Sequence, residues 1–229
     1  MKSAYHGICV LTTDVPAQDR THEQIAAAAI QGGAAMIQFR DKTMDDGLFA
    51  QTASRILQIT RVAGVPLIVN DRVAIAIAIG ADGVHVGWND GDLDQIKQNL
   101  PTGMILGVSA RNYAEAMAMN TVGADYLGVG PVFPTASKKD ATPPIGMEEL
   151  KDICRDTAIP VIGIGGIDYE TLPLAMSAGC SGVAVISAVS HAVDMVKAVH
   201  ELVRCHANSL RQATDRHEHL VLPNMALAE

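Results

Sequence analysis

The amino-acid sequence predicts an α/β protein, a single-domain (β/α)8 TIM barrel. Three observations lead there. Eight short apolar runs alternate with eight helical stretches along 229 residues, a length that suits one such barrel. Each run is nearly continuous rather than alternating, the pattern of strands covered on both faces of a parallel sheet. No connection is long enough to mark a crossover to the other face of an open doubly wound sheet, the other architecture that strand–helix alternation allows.

The elements follow in order. Ile8–Thr12 is the first strand. Four strands begin after a glycine and a small residue: Gly33-Ala34 before MIQF, Gly80-Ala81 before GVHV, Gly123-Ala124 before YLGV, Gly179-Cys180 before GVAVI. Three begin at a proline: Pro66 before LIV, Pro101 before MILGV, Pro160 before VIGI. Proline there removes no central ladder bond. The first helix is expected over Thr21–Gln31, with Thr21 and Gln24 as a capping box and Gly32-Gly33 as its stop. Further helices are expected over Asp45–Ala63, Arg72–Ile79, Asp92–Asn99, Asn112–Val122, Gly146–Thr157, Tyr169–Ala178 and Ala188–Ala207. Residues 1–207 form the barrel, and 208–229, with His217 and His219, are set apart as a flexible tail or a segment packed on a neighbour.

Composition narrows the function. Apolar residues make up 48% and aromatics only 3%, so the core is aliphatic. A net charge of -8 argues against nucleic acid or an anionic membrane as partner. No run of about 18 apolar residues exists to span a bilayer, and Gly7–Leu11 is too short for a signal sequence. Cys9, Cys154, Cys180 and Cys205 are widely spaced without a C-x-x-C pair, as reduced thiols of a cytoplasmic protein would be.

In a barrel, chemistry belongs at the carboxyl ends of the strands. After the second strand, Gln38, Arg40 and Lys42 share one face and point to the mouth, while Ile37 and Phe39 face the helices. Two cations placed so need a partner, either a polyanion or nearby carboxylates. After the third strand Asp71 is either a helix N-cap or, with Asp90 after the fourth, one of two carboxylates reaching a Mg²⁺. His85 is read as a packed wall histidine. The fifth strand ends with the hydroxyl of Ser109. After the sixth comes an aperiodic segment from Gly130 to Gly146, a binding loop or a solvated one, carrying Thr135, Ser137, Lys138 and Lys139. The glycines of GIGGI at 163–167 and the end of the eighth strand at Ile186-Ser187 form the place where barrels often hold a phosphate. Two anion sites, one with metal-like ligands, suit the joining of two phosphorylated substrates, one bearing a diphosphate.

With QFRDK, VND, GVHVGWND, GVSA, GPVFPTASKKD, GIGGI and VIS in this order, the sequence from Ile8 to Val203 resembles the thiamine-phosphate synthase family. The resemblance implies a transferase that joins 4-amino-5-hydroxymethyl-2-methylpyrimidine diphosphate to a (carboxy)thiazole phosphate. It implies that Gln38, Phe39, Arg40, Asp41, Lys42, Asn70, Ser109 and Lys138 bind the pyrimidine diphosphate. Asp71 and Asp90 would hold Mg²⁺, and Thr135, Ala136, Ser137, Gly166, Ile186 and Ser187 would bind the thiazole phosphate. Arg40, Ser109 and Lys138 are the residues expected to act in catalysis. Trp88 stands where the family usually has Gln, Ser137 replaces a usual Thr, and Thr142 lies where a basic residue is common. A thiazole tautomerase, a non-catalytic thiamine-phosphate-binding barrel and a phosphosugar isomerase are the rival readings. The expected partners are small-molecule substrates, and a homo-oligomer is left open.

Overall fold

A computed structural model describes residues 5–13, 18–88, 90–135, 137 and 143–221, with side chains to 212. Eight parallel strands close into a barrel in sequence order: β1 (Ile8–Thr12), β2 (Met36–Phe39), β3 (Leu67–Asn70), β4 (Gly83–Gly87), β5 (Ile105–Ala110), β6 (Tyr126–Val129), β7 (Val161–Ile164) and β8 (Gly182–Val185). Closure is made by β1 against β8, with Ile8 opposite Val183.

The strands alternate between two apolar layers. Inside, Cys9, Leu11, Met36, Ile68, Ile105, Tyr126, Ile162 and Ala184 fill the barrel. Outside, Val10, Ile37, Phe39, Leu67, Val69 and Val84 pack beneath the helices. A side chain at Gly83 would collide with Ile105 and Ile68, so the space those two residues fill requires glycine there. At the amino-terminal rim two Ala-Asp pairs repeat one device: Asp82 accepts the amide of Leu67 and Asp125 that of Leu106. Each carboxylate satisfies an orphan donor where a neighbouring strand begins.

The helices are α1 (His22–Gln31), α2 (Asp46–Ala63), α3 (Val73–Ile79), α4 (Leu93–Asn99), α5 (Tyr113–Ala118, continued by a 3₁₀ turn at Met119–Thr121), α6 (Met147–Asp156), α7 (Leu172–Ser177), α8 (Ser187–Ser190) and α9 (Met195–Val221). The Thr21–Gln24 capping box forms as expected. Two expectations change. Asp71 is not the cap of α3: Arg72 takes that place without a side-chain bond, and Asp71 adopts a left-handed φ of 62°. The last expected helix is two, because Asp194 caps a fresh start by accepting the amide of Lys197, and Arg20 takes the carbonyl of Ser190 where α8 ends. An aspartate serves better at a cap than inside a helix. α9 then carries to Val221, through the boundary placed at 207. Among the described residues no helix is long and apolar enough to cross a membrane.

Candidate active site

The carboxyl ends of the strands surround a cavity of about 220 Å³. Of the residues singled out from the sequence, Arg40, Lys42, Asn70, Asp71, Asp90, Ser109, Thr135, Ser137, Gly166, Ile186 and Ser187 line it. Gln38 lies one layer deeper, on a second cavity of about 30 Å³ shared with Asn70, His85, Ser109 and Tyr126. Ala136 and Lys138, together with Thr142, lie outside the described residues.

Two residues of the QFRDK segment do not face the cavity. The Phe39 ring is wholly buried outside the barrel, 4.2 Å from the Phe49 ring and edge-on to His22, as strand alternation requires. Asp41 turns back into the protein. It accepts the amides of Thr43 and Met44, the Thr43 hydroxyl and the imidazole of His22. Burial works to raise this carboxyl, but the donors outweigh it and hold it below the usual carboxylate range. Asp41 thus fastens the turn that presents Arg40 and Lys42.

The charges on that side are distributed unevenly. Lys42 pairs with Asp71 across the ends of β2 and β3. Asp90 folds back to accept the amide of Gly87 at 2.7 Å; a Cβ on Gly87 would stand 2.8 Å from the same carboxylate oxygen, so glycine makes the fold-back possible. Arg40, half-buried at the rim, has no carboxylate within ion-pairing distance among the described residues. A guanidinium so placed is a ready fork for a bidentate anion.

Opposite, the chain beyond β6 runs along the end of β7, with Val132 and Phe133 donating to the carbonyls of Ile164 and Gly165. Gly166 has φ of 65°, and a Cβ there would come within 2.5 Å of the Pro134 carbonyl oxygen. Both facts demand glycine. The Ser137 and Ser187 hydroxyls meet at 3.3 Å and bring that segment onto the start of α8. Hydroxyls and exposed glycine backbone make a cradle suited to phosphate.

Sequence reasoning missed Arg111, which also lines the cavity. Its guanidinium lies 5.8 Å over the Trp88 ring and is held by Glu115. The signal was present: Ser109 and Arg111 stand two residues apart, the same alternation that groups Arg40 with Lys42. His85, read as a wall histidine, is buried but joins Ser109 to Tyr126 by hydrogen bonds.

The model of the thiamine monophosphate synthase family matches residues 8–189, all eight strands and the rim they carry. The chain belongs to this family. It is 44% identical over 193 residues to a thiamine-phosphate synthase of Chloroflexus aurantiacus, covering 84% of this chain and 89% of the relative. A thiamine-phosphate synthase of Ruminiclostridium cellulolyticum is 39% identical over 209 residues, 91% of this chain and 99% of its own. Among solved structures, the thiamine phosphate pyrophosphorylase from Pyrococcus furiosus superposes with a TM-score of 0.81 at 33% identity, covering 91% of this chain and 98% of that one. As a thiamine-phosphate synthase family member the chain is a transferase of thiamine biosynthesis, on a TIM barrel.

Proposed function

We propose that the chain condenses 4-amino-5-hydroxymethyl-2-methylpyrimidine diphosphate with a thiazole phosphate, or its carboxylated form, giving thiamine phosphate and diphosphate. The observation that carries this reading is Arg40, a guanidinium at the rim with no carboxylate partner among the described residues and facing the cavity. With Lys42 beside it, Arg40 would seat the diphosphate. Gln38 and Asn70 would meet the pyrimidine from the floor, and Lys138 joins them by its place in the family motif. Thr135, Ser137, Gly166, Ile186 and Ser187 would hold the thiazole phosphate on the opposite side, and Ala136 joins them by its place in the family motif.

Asp71 and Asp90 suit Mg²⁺. Both line the cavity and offer only carboxylate oxygens, the hard donors this ion takes, usually one or two per site with water and phosphate completing the shell. Among the described residues no group of three or more His, Cys, Asp or Glu gathers, so water and phosphate would have to complete such a shell. Bound there, the ion would supply counter-charge to diphosphate oxygens. Lys42, already paired with Asp71, stays close enough to share that role.

The reaction this arrangement favours begins with the bond between the pyrimidine CH₂ and the diphosphate oxygen. Its electrons leave with the diphosphate, and Arg40, Lys42 and Lys138 stabilise the charge that builds there. The electron-rich aminopyrimidine bears the positive charge until the thiazole nitrogen donates its lone pair to the CH₂. Holding both rings in one cavity replaces a bimolecular encounter. No general acid–base pair is called for. A cytoplasmic setting belongs to the same reading, and the four free thiols fit a reducing compartment.

The test mixes purified protein with both phosphorylated heterocycles, with and without Mg²⁺, and follows product by oxidation to thiochrome. Product that depends on Mg²⁺ supports the reading. Tight binding of both substrates without product would make the chain a non-catalytic barrel instead.

A further inference from the structure

A polar chain runs through the barrel interior below the cavity. The Nδ1 of His85 on β4 is 2.9 Å from the hydroxyl of Tyr126 on β6, and its Nε2 is 2.8 Å from the Ser109 hydroxyl on β5. Tyr126 is 1% exposed and His85 7%. Gln38 of β2 lines the small cavity beside them.

Space for this chain is built into the backbone. A Cβ on Gly107 would stand 2.2 Å from the Tyr126 ring, and one on Gly128 would stand 2.9 Å from His85 Cε1. Two strand glycines weaken a sheet unless their missing side chains serve something. Here they admit the phenol and the imidazole.

The bonds have a direction. Burial pushes the Tyr126 phenol well above its usual range, so it keeps its proton. A buried phenol O–H needs an acceptor, and Nδ1 of His85 at 2.9 Å takes it. Nε2 then carries the hydrogen and donates to Ser109. With one lone pair engaged, the Ser109 O–H turns to the cavity that Ser109 lines.

We propose that Tyr126 and His85 are positioning residues that fix the Ser109 hydroxyl as a hydrogen-bond donor to the diphosphate-bearing substrate. This rests on the assignment of Ser109 to that substrate above. A satisfied buried chain of this kind restricts its members to one arrangement, and a donor fixed in advance needs no reorganisation when charge develops.

The experiment labels the histidines of the full chain with ¹⁵N and reads the His85 tautomer at mildly alkaline pH, its resonances identified by their loss in His85→Gln. The wild type is expected to show Nε2–H, and Tyr126→Phe a mixture. Steady-state rates accompany this. Tyr126→Phe is expected to lower kcat by about tenfold with either KM changed by less than about threefold, a smaller loss than removing a direct donor. His85→Gln keeps an N–H near the place of Nε2 and is expected to retain more turnover than His85→Leu. An Nδ1–H tautomer in the wild type overturns the proposal, as does wild-type kcat in a folded Tyr126→Phe. If Tyr126→Phe does not fold, the wild-type tautomer and the paired His85 variants decide. A wild type that makes no thiamine phosphate defeats the proposed function alone, since the tautomer is read without turnover.

Discussion

The imidazole of His22 stands 3.2 Å from the Asp41 carboxylate, tying the first turn of α1 to the turn that follows β2. A carboxylate only accepts, so Nε2 carries the hydrogen, while Nδ1 lies 2.9 Å from the Thr12 hydroxyl. Asp41 sits between Arg40 and Lys42 in sequence but faces the opposite way, and it fixes the turn that follows them by accepting the amides of Thr43 and Met44.

Replacing Asp41 by Ala therefore raises KM for the pyrimidine diphosphate by at least about threefold, while KM for the thiazole phosphate changes less. The carboxyl lies below its ordinary range in the fold, so its contribution to stability is present above the ordinary carboxylate pKa and disappears as pH falls through the lowered one. Urea unfolding across acid pH shows this directly: the wild type's margin over Asp41→Asn narrows as the pH drops through that window.

Arg40→Ala lowers turnover by at least about a hundredfold, the loss of a charge stabiliser at the leaving group. Its melting temperature stays within about 2 °C of wild type, because Arg40 has no carboxylate partner among the described residues to lose. Arg40→Lys restores only part of the rate, since an ammonium cannot reproduce the guanidinium fork. Near-normal turnover in Arg40→Ala removes the seat proposed for the diphosphate.

Gly166→Ala strains a left-handed backbone and drives a methyl against Pro134 and Phe133. A cost of about 1–3 kcal/mol in chemical unfolding is expected. KM for the thiazole phosphate rises more than KM for the pyrimidine diphosphate. Equal effects on both would dissolve the separation of the two anion sites.

Phe39 separates packing from binding. Truncation to Ala opens a hole between Phe49 and His22 and costs about 3–5 kcal/mol. Phe39→Leu keeps most of the volume and leaves both KM values near wild type. A rise beyond about tenfold in KM for the pyrimidine diphosphate would show that this ring reaches the substrate after all.

The strands and most helix ends were legible because their signals are local. Pro66, Pro101 and Pro160 open strands for reasons confined to their own backbone, and Thr21 finds Gln24 three residues away. Alternation along β2 placed Phe39 against the helices and Arg40 toward the mouth before any strand had a neighbour. Asp71 was ambiguous because a cap and a rim carboxylate look alike in sequence. Its pairing with Lys42 depends on β2 lying beside β3.

The sequence alone determined the (β/α)8 order, the thiamine-phosphate synthase resemblance and the position of the cationic strand end. Periodicity and punctuation act within a few residues, and that range suffices for the first and the last, while the resemblance rests on the motifs from QFRDK to VIS. Only the closed barrel decided that Gly107 and Gly128 make room for Tyr126 and His85, and that the Asp41 carboxylate turns back to His22. Those relations join residues on different strands, or a strand and a helix, and depend on how the register brings distant chain segments within hydrogen-bond reach.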